Sequence, residues 1–280
     1  MLAKINGTKL YFDVQGAELV PVNGTWKKKP VCFVVHGGPG GEHTGFKPFL
    51  SPLSEQMQLI YIDQRGCGRS ERGPQSTYTL ENNVEDLEAL RLYLGLEKVV
   101  VLGHSYGGMV AQSYAIRYPE SVSALLLIAT HPSYMFGQQA MQQVEEMGTN
   151  EQKAFAKLLF EGALGKEQML EYSIVMEPLY FYSTRGIVRT EEEKQAMRNK
   201  KSNLNFEAAN EGAKFLKTFD VVDSLHRIPC PTLVAGGRHD WITPLEASIL
   251  MAEKIPNSEL VVFEESCHYL FIDEPQKIYR

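Results

Sequence analysis

The chain has 280 residues, of which 44% are hydrophobic and 22% are charged, a composition typical of a globular protein with one large core. It carries 28 basic and 34 acidic side chains, a net charge of −6 without a long basic stripe, which argues against a nucleic-acid partner. No apolar stretch approaches the roughly 18 residues of a membrane-spanning helix, so we expect a cytoplasmic protein that does not bind membranes.

The strand signals begin with a hairpin. Asn6-Gly7 is a typical hairpin turn, and the strand predicted at residues 9–14 should form an antiparallel edge. A polar, lysine-containing loop follows. Unbroken apolar runs then predict parallel strands that are buried on both faces. These runs cover residues 31–35, 58–62, 99–102 and 124–128.

Helical patterns separate the strands, most clearly at residues 80–94, and this alternation predicts an α/β sheet. From residue 133 to 218 the chain offers helical segments without a buried strand. They include residues 138–147, 151–160, 166–176 and 191–203. Strands return at 232–236 and 259–263, separated by a helix at 244–255. We therefore expect a core domain of residues 1–132 and 219–280, with residues 133–218 inserted as a helical cap.

The strand at 99–102 leads directly into Gly103-His104-Ser105-Tyr106-Gly107, a G-x-S-x-G motif. In a nucleophile elbow this motif places the serine on a sharp turn between strand and helix, where the hydroxyl is accessible. The residues that follow are small and compatible with a helix packed on a sheet. Ser105 is therefore the candidate nucleophile.

A serine hydroxyl needs a histidine base, and the histidine needs a carboxylate that fixes its tautomer. Where an elbow serine is followed by the acid and then by the histidine, each partner lies on a loop after a strand. His268 follows the last predicted strand, and Asp240 follows the strand before it. Asp220 and Asp223 precede that strand, at its wrong end. We therefore predict Ser105, Asp240 and His268 as the catalytic residues.

Attack by serine creates an oxyanion that needs N–H donors. One donor is the main-chain N–H of Tyr106, directly after the serine. The loop after the strand at 31–35 is rich in glycine and supplies Gly37 as first choice for the second donor, with Gly38 as the alternative. This loop lacks the G-K-[ST] ending of a phosphate-binding loop.

No cofactor or metal is expected. The chain contains no H-E-x-x-H motif, and Cys32, Cys67, Cys230 and Cys267 form no C-x-x-C pair. The widely spaced cysteines also predict free thiols. The sequence contains no indication of the oligomeric state.

Several motifs together resemble the proline iminopeptidases of the α/β-hydrolase superfamily. They are His36-Gly37-Gly38-Pro39-Gly40, Asp63-Gln64-Arg65-Gly66-Cys67-Gly68-Arg69-Ser70, Gly103-His104-Ser105-Tyr106-Gly107-Gly108, and the late Asp240 and His268. The resemblance implies an eight-stranded, mostly parallel sheet flanked by helices, with a helical cap that shapes substrate selection. It implies a serine hydrolase that works through an acyl-enzyme and releases N-terminal residues from short peptides or small amides. It also implies that Asp63 and Arg65 hold the loops around the oxyanion site.

The same family binds the free α-amino group of its substrate with carboxylates, commonly in the cap. Glu207 and Glu211 are the cap candidates here, and the residue after Asp240 is Trp241, whose ring face could offer a cation–π contact. The alternative function is a carboxylesterase or lactonase with the same triad. It is suggested by Trp241 and by the aromatic cap stretch at residues 178–182. A noncatalytic binding protein is a third possibility, but it does not explain why all three triad positions are filled.

Overall fold

Strands account for the central layer of the protein, for which the computed structural model describes residues 1–199 and 203–279. In chain order they are β1 (Leu2–Ile5), β2 (Thr8–Gln15), β3 (Leu19–Val22), β4 (Thr25–Lys28), β5 (Val31–Val35), β6 (Gln58–Asp63), β7 (Val99–His104), β8 (Val122–Ile128), β9 (Thr232–Gly237) and β10 (Ser258–Phe263).

The helices alternate with the strands at first and then cluster between β8 and β9. In chain order they are α1 (Leu80–Tyr93), α2 (Tyr106–Arg117), α3 (Met135–Met147), α4 (Asn150–Glu161), α5 (Lys166–Val175), α6 (Glu177–Tyr180), α7 (Glu191–Arg198), α8 (Phe206–Leu216), α9 (Leu245–Lys254) and α10 (Leu270–Asp273). Short 3₁₀ turns connect several of these elements.

The main sheet has eight strands in the order β1-β2-β6-β5-β7-β8-β9-β10. β1 pairs with β2, and β2 with β6, in antiparallel fashion, whereas every other neighbouring pair is parallel. The mostly parallel eight-stranded sheet is therefore confirmed. The chain leaves β5 toward β6 on one side and later adds β7 on the other side. Such a reversal of strand order opens a crevice at the carboxyl ends of the strands, which is where α/β proteins bind ligands.

Apolar side chains fill both faces of the sheet. The residues of β5 and β7 are buried throughout, as the unbroken apolar runs predicted. One face packs against α1, α2 and α9 through a cluster that includes Phe33, Leu87 and Val110. The other face holds a second cluster that includes Leu59 and Phe271. This rigid centre fixes the positions of the loops at the strand ends.

Helices α3 to α8 lie between β8 and β9, and the division into a core and a helical cap at 132/133 and 218/219 stays a prediction. The helix predicted at 191–203 is observed as α7, and residues 200–202 lie outside the described residues. Two features were not predicted. The loop before β5 contains the hairpin β3–β4, which turns at Asn23-Gly24 with φ of 49° and 78°. The second feature is α8, which Asn205 caps through hydrogen bonds from the N–H groups of Glu207 and Ala208.

Candidate active site

A strained turn between β7 and α2 holds the candidate nucleophile. Ser105 has φ of 56° and ψ of −124°, a conformation that costs energy for a residue with a side chain. The tight turn requires glycine at the two flanking positions, because the surrounding main chain leaves no space there for a side chain. A Cβ at Gly103 would collide with the main chain of Gly107, and one at Gly107 would collide with the carbonyl of Val35. Ser105 therefore occupies the geometry of a nucleophile elbow.

Asp240 and His268 lie together on the loops after β9 and β10. Nδ1 of His268 is 2.8 Å from Oδ2 of Asp240, and both side chains are almost fully buried. Thr243 supports the pair, because its hydroxyl donates to Oδ2 of Asp240 at 2.5 Å. Since Nδ1 is bound to the carboxylate, Nε2 is the ring nitrogen that can serve a nucleophile.

The environment keeps Asp240 ionised. Burial alone raises the pKa of this carboxyl, but His268 and the hydrogen bonds from Thr243 outweigh it, so the net shift of the pKa is downward. Oδ1 accepts from the main-chain N–H groups of Ile242 and Thr243, each at 3.0 Å. Every oxygen of the carboxylate thus has a donor, which fixes its orientation toward the histidine.

The elbow and the histidine loop contact each other through His104, the residue before the serine. Its Nε2 donates to the main-chain carbonyl of His268 at 3.0 Å, and the two rings lie 4.7 Å apart. Burial, followed by the proximity of His268, lowers the pKa of His104 to about 3, so His104 is a neutral structural group. The structure therefore brings the loops of Ser105, Asp240 and His268 to one edge of the sheet.

The loop after β5 lies directly against the elbow. A Cβ at Gly37 would stand 2.9 Å from the Cβ of Ser105, whereas one at Gly38 would meet the nitrogens of Gly40 and Gly41 within its own turn. Tyr106 opens α2, so its N–H lies at the positive end of that helix. Gly37 and Tyr106 thus flank the serine, and Gly38 faces its own loop.

Residues at the end of β6 hold both ends of this glycine loop. At the start of the loop, the main-chain N–H of Gln64 donates to Nε2 of His36 at 3.0 Å. At its end, Oδ1 of Asp63 accepts from the main-chain N–H of His43 at 2.9 Å and lies 2.7 Å from Nδ1 of that histidine. Asp63 therefore has the supporting position that the family resemblance implied.

Arg65 anchors the loop after β6 on its far side. Its guanidinium forms a bidentate pair with Asp86 of α1, at 2.9 and 2.6 Å, and donates to the main-chain carbonyl of Asn6. Arg65 is 8% exposed, so this pair is a buried anchor between the β6 loop, α1 and the first hairpin. It does not reach the glycine loop itself.

An aromatic wall from the helical insertion covers the histidine. The ring of Tyr180 meets the ring of His268 edge-on at 5.4 Å, and its hydroxyl lies 2.5 Å from the hydroxyl of Tyr172. Tyr180 belongs to the aromatic stretch at 178–182 that the sequence singled out. The contact with the histidine was not foreseen, because no local pattern links residues so far apart in the chain.

Trp241 is buried beneath the helical insertion. This residue is 1% exposed, and its ring meets the rings of Phe160 and Tyr180 nearly perpendicularly, at 6.5 and 5.7 Å. It belongs to the apolar cluster under the insertion, together with Tyr172 and Met176. Both neighbours lie beside the buried indole, and a cation–π contact of Trp241 with a substrate stays a prediction.

Glu207 and Glu211 are not brought to the serine either. The face of α8 that packs on the glycine loop carries Ala209 and Gly212. A Cβ at Gly40 would lie 3.2 Å from the Cβ of Ala209, and a Cβ at Gly212 would collide with the ring of Pro39. With 3.6 residues per turn, positions 207 and 211 point to the opposite side of the helix. Glu207 is exposed, and Glu211 is paired with Lys214 at 2.9 Å. An amine-anchoring role for Glu207 or Glu211 stays a prediction.

Within residues 1–199 and 203–279, no three or more His, Cys, Asp or Glu side chains cluster so as to hold a metal ion. No helix in the described part of the chain has the length and apolar character needed to cross a membrane. The four cysteines are free and buried.

Comparison with known proteins gives a consistent picture. The family model described as alpha/beta hydrolase fold matches residues 30–275. The protein named proline iminopeptidase PfmaB from Pestalotiopsis fici is 33% identical over 97% of this chain and 93% of its own length. A proline iminopeptidase from Saccharolobus solfataricus is 30% identical over 87% of this chain and 80% of its own length. The solved structure of an esterase from Exiguobacterium antarcticum has the same fold, with a TM-score of 0.73, 23% identity, and coverage of 99% of this chain and 95% of its own.

Proposed function

Since this chain is a hydrolase of the alpha/beta hydrolase fold family and belongs to its proline iminopeptidase-like members, we propose that it is a serine aminopeptidase. Its substrates are short peptides or small amides with a free N-terminal residue, proline foremost. The observation that carries this proposal is the buried 2.8 Å contact between His268 and Asp240, beside the strained elbow of Ser105. The relatives named proline iminopeptidase support the substrate class.

In the first half of the reaction, the Ser105 hydroxyl attacks the substrate carbonyl while Nε2 of His268 takes the hydroxyl proton. Asp240 holds the histidine through Nδ1 and stabilises the imidazolium that forms. The N–H groups of Gly37 and Tyr106 stabilise the oxyanion of the tetrahedral intermediate. When this intermediate collapses, His268 returns the proton to the leaving amine, and the acyl group remains on Ser105.

In the second half, a water molecule replaces the amine. His268 removes a proton from the water, whose oxygen attacks the acyl-enzyme carbonyl, and the same N–H groups hold the second oxyanion. Collapse of the intermediate breaks the ester bond to Ser105, and His268 returns the proton to the serine oxygen. The products are the free N-terminal residue and the shortened amine.

A carboxylesterase or lactonase with the same three residues is the second candidate. The observation that favours it is the position of Glu207 and Glu211, which lie on the far side of α8 from the glycine loop. The aromatic wall around Tyr180 gives the histidine side of the site an apolar lining that suits an uncharged acyl group. The catalytic steps are the same as for an amide, except that the leaving group is an alcohol instead of an amine.

The test is a panel of matched substrates for the wild type and Ser105→Ala. The panel contains p-nitroanilides of proline, alanine and leucine, their N-acetylated forms, and short p-nitrophenyl esters. We expect hydrolysis of the free-amine anilides, with proline the best, and its loss in Ser105→Ala. Preference for N-acetylated over free-amine anilides contradicts the aminopeptidase proposal. Rapid ester turnover without any anilide turnover assigns the chain to the second candidate.

A further inference from the structure

The glycine loop from His36 to His43 is fastened at its two ends by the core and at its middle by the helical insertion. Gln64 and Asp63 hold the two ends, as described above. In the middle, the main-chain carbonyl of Gly40 accepts a 2.8 Å hydrogen bond from the main-chain N–H of Asn205. A main-chain hydrogen bond from the insertion therefore holds the same loop that carries the N–H of Gly37.

Asn205 also connects the insertion to the loop after β6. Its side-chain Nδ2 donates to the main-chain carbonyl of Gly66 at 2.8 Å. Its Oδ1 accepts from the N–H groups of Glu207 and Ala208, which caps α8. The residue is 5% exposed, so water does not readily replace these partners. One side chain thus joins the start of α8 to the β6 loop, while its own main chain holds the glycine loop.

Close packing makes this connection stiff. A Cβ at Gly212 would collide with the ring of Pro39, and one at Gly40 would collide with the carbonyl of Asn205. Asn205 at the start of α8 and Gly212 within it therefore both pack against the turn at Pro39 and Gly40. Interiors packed this closely transmit small displacements instead of absorbing them.

We propose that Asn205 is a positioning residue for the oxyanion hole: its amide fixes the start of α8 on the β6 loop and thereby holds the glycine loop with the Gly37 N–H directed at the reacting carbonyl. The inference rests on the proposed function, because it concerns the oxyanion site of that same reaction. It gives the insertion a role in the chemical step in addition to substrate selection. A donor displaced by a fraction of an ångström stabilises the transition state less while ground-state binding is retained.

The two functions of the Asn205 side chain can be separated by substitution. Asn205→Ser keeps a good helix cap and removes the amide that reaches Gly66. The matched control is Thr149→Ala, because Thr149 caps α4 within the same insertion and makes no contact with the glycine loop among the described hydrogen bonds. Loss of that cap destabilises the insertion without removing a described contact to the glycine loop or to the β6 loop. Any effect of general destabilisation therefore appears in the control as well.

The measurements are kcat and KM on the best substrate of the panel, and the inhibition constant of a small boronic acid, whose adduct with serine places an oxygen in the oxyanion hole. For Asn205→Ser we expect kcat to fall by about 10- to 100-fold with KM changed less than about threefold. The boronic acid should bind more weakly by a similar factor. Thr149→Ala should match the wild type in all three values.

Equal kcat and equal boronate affinity in Asn205→Ser and Thr149→Ala overturn the inference while leaving the proposed function intact. A rise of KM alone in Asn205→Ser also overturns it, because it identifies a role in substrate binding only. Absence of turnover and of boronate binding in the wild type overturns both the proposed function and this inference.

Discussion

The main-chain N–H of His268 donates a 3.1 Å hydrogen bond to the main-chain carbonyl of Tyr180. The first residue belongs to the loop after β10, and the second ends α6 of the helical insertion. The insertion therefore contacts both halves of the candidate site, at the histidine loop through Tyr180 and at the glycine loop through Asn205.

Asp273 reinforces the first of these contacts. Its Oδ2 accepts from the main-chain N–H groups of Tyr182 and Cys267, and its Oδ1 accepts from the N–H and hydroxyl of Ser183. Asp273→Ala should lower the free energy of unfolding by about 1–3 kcal/mol, because three N–H groups lose their acceptor. It should also reduce kcat by about tenfold or more, because the histidine loop loses its anchor.

Urea unfolding and steady-state kinetics measure the two effects of Asp273→Ala. Glu264→Ala is the control, since it removes an exposed ion pair with Arg238 near the same loop, and such pairs contribute little. Equal kcat in the two variants would show that Asp273 does not position His268.

Trp241 should act through packing and not through substrate binding. Trp241→Ala leaves a large cavity in the cluster under the insertion and should cost about 3–5 kcal/mol of stability. Trp241→Phe should cost clearly less, because it keeps an aromatic ring and removes a buried indole N–H that has no hydrogen-bond partner among residues 1–199 and 203–279. Chemical denaturation of both variants checks the ranking. Equal losses of stability, or a loss of free-amine selectivity in Trp241→Phe, would contradict this explanation.

Glu207→Gln and Glu211→Gln should each leave kcat/KM within about twofold of the wild type on free-amine anilides, since Glu207 is exposed and Glu211 already has partners in Gln75 and Lys214. Both residues lie on the side of α8 away from the glycine loop, and Glu211 is already paired with Lys214. The comparison uses free-amine and N-acetylated substrates side by side. A large rise in KM confined to the free-amine substrates of one variant would identify that carboxylate as the amine anchor.

Buried histidines should make the protein sensitive to acid. Burial lowers the pKa of His131 to about 4, below the ordinary value of about 6.5 that it regains on unfolding. Between these two values the unfolded chain binds more protons than the folded one, so stability falls as the pH falls. At pH 4 this residue alone should cost about 2–3 kcal/mol relative to pH 7.

His131→Gln removes one of these titrating groups and should make the pH dependence of the free energy of unfolding shallower between pH 4 and about 6.5. The control is His226→Gln at an exposed histidine, which should keep the wild-type slope. Unfolding titrations in urea across this range distinguish the two. A wild-type slope in His131→Gln would show that His131 is not held neutral by burial.

Much of the fold was predictable because its signals are local. Strands buried on both faces appear as unbroken apolar runs, and β5 and β7 were located in this way. The hairpin β3–β4 was missed because its residues are exposed and mixed with lysines, although Asn23-Gly24 is itself a turn signal. Helix α8 was missed for a similar reason, since its cap at Asn205 was not read as a helix start.

In the candidate site, too, the local signals were predictable and the contacts between distant residues were not. The order of Ser105, Asp240 and His268 along the chain was enough to predict that they lie at one edge of the sheet, because the carboxyl ends of parallel strands meet there. The contact of Asn205 with Gly66 joins residues 139 positions apart and leaves no periodic signal. The outward position of Glu211 depends on how α8 is rotated, which tertiary packing decides.

Formation of an acyl-enzyme on Ser105 can be observed by rapid-quench mass spectrometry with a p-nitrophenyl ester. We expect the intact protein to gain the mass of the acyl group during the first turnover, and peptide mapping to locate that group on Ser105. Asp240→Asn should slow this acylation by a factor of about 10⁴, since the histidine would lose its correct tautomer. Turnover without a covalent intermediate, or an acyl group on any other residue, would contradict the account.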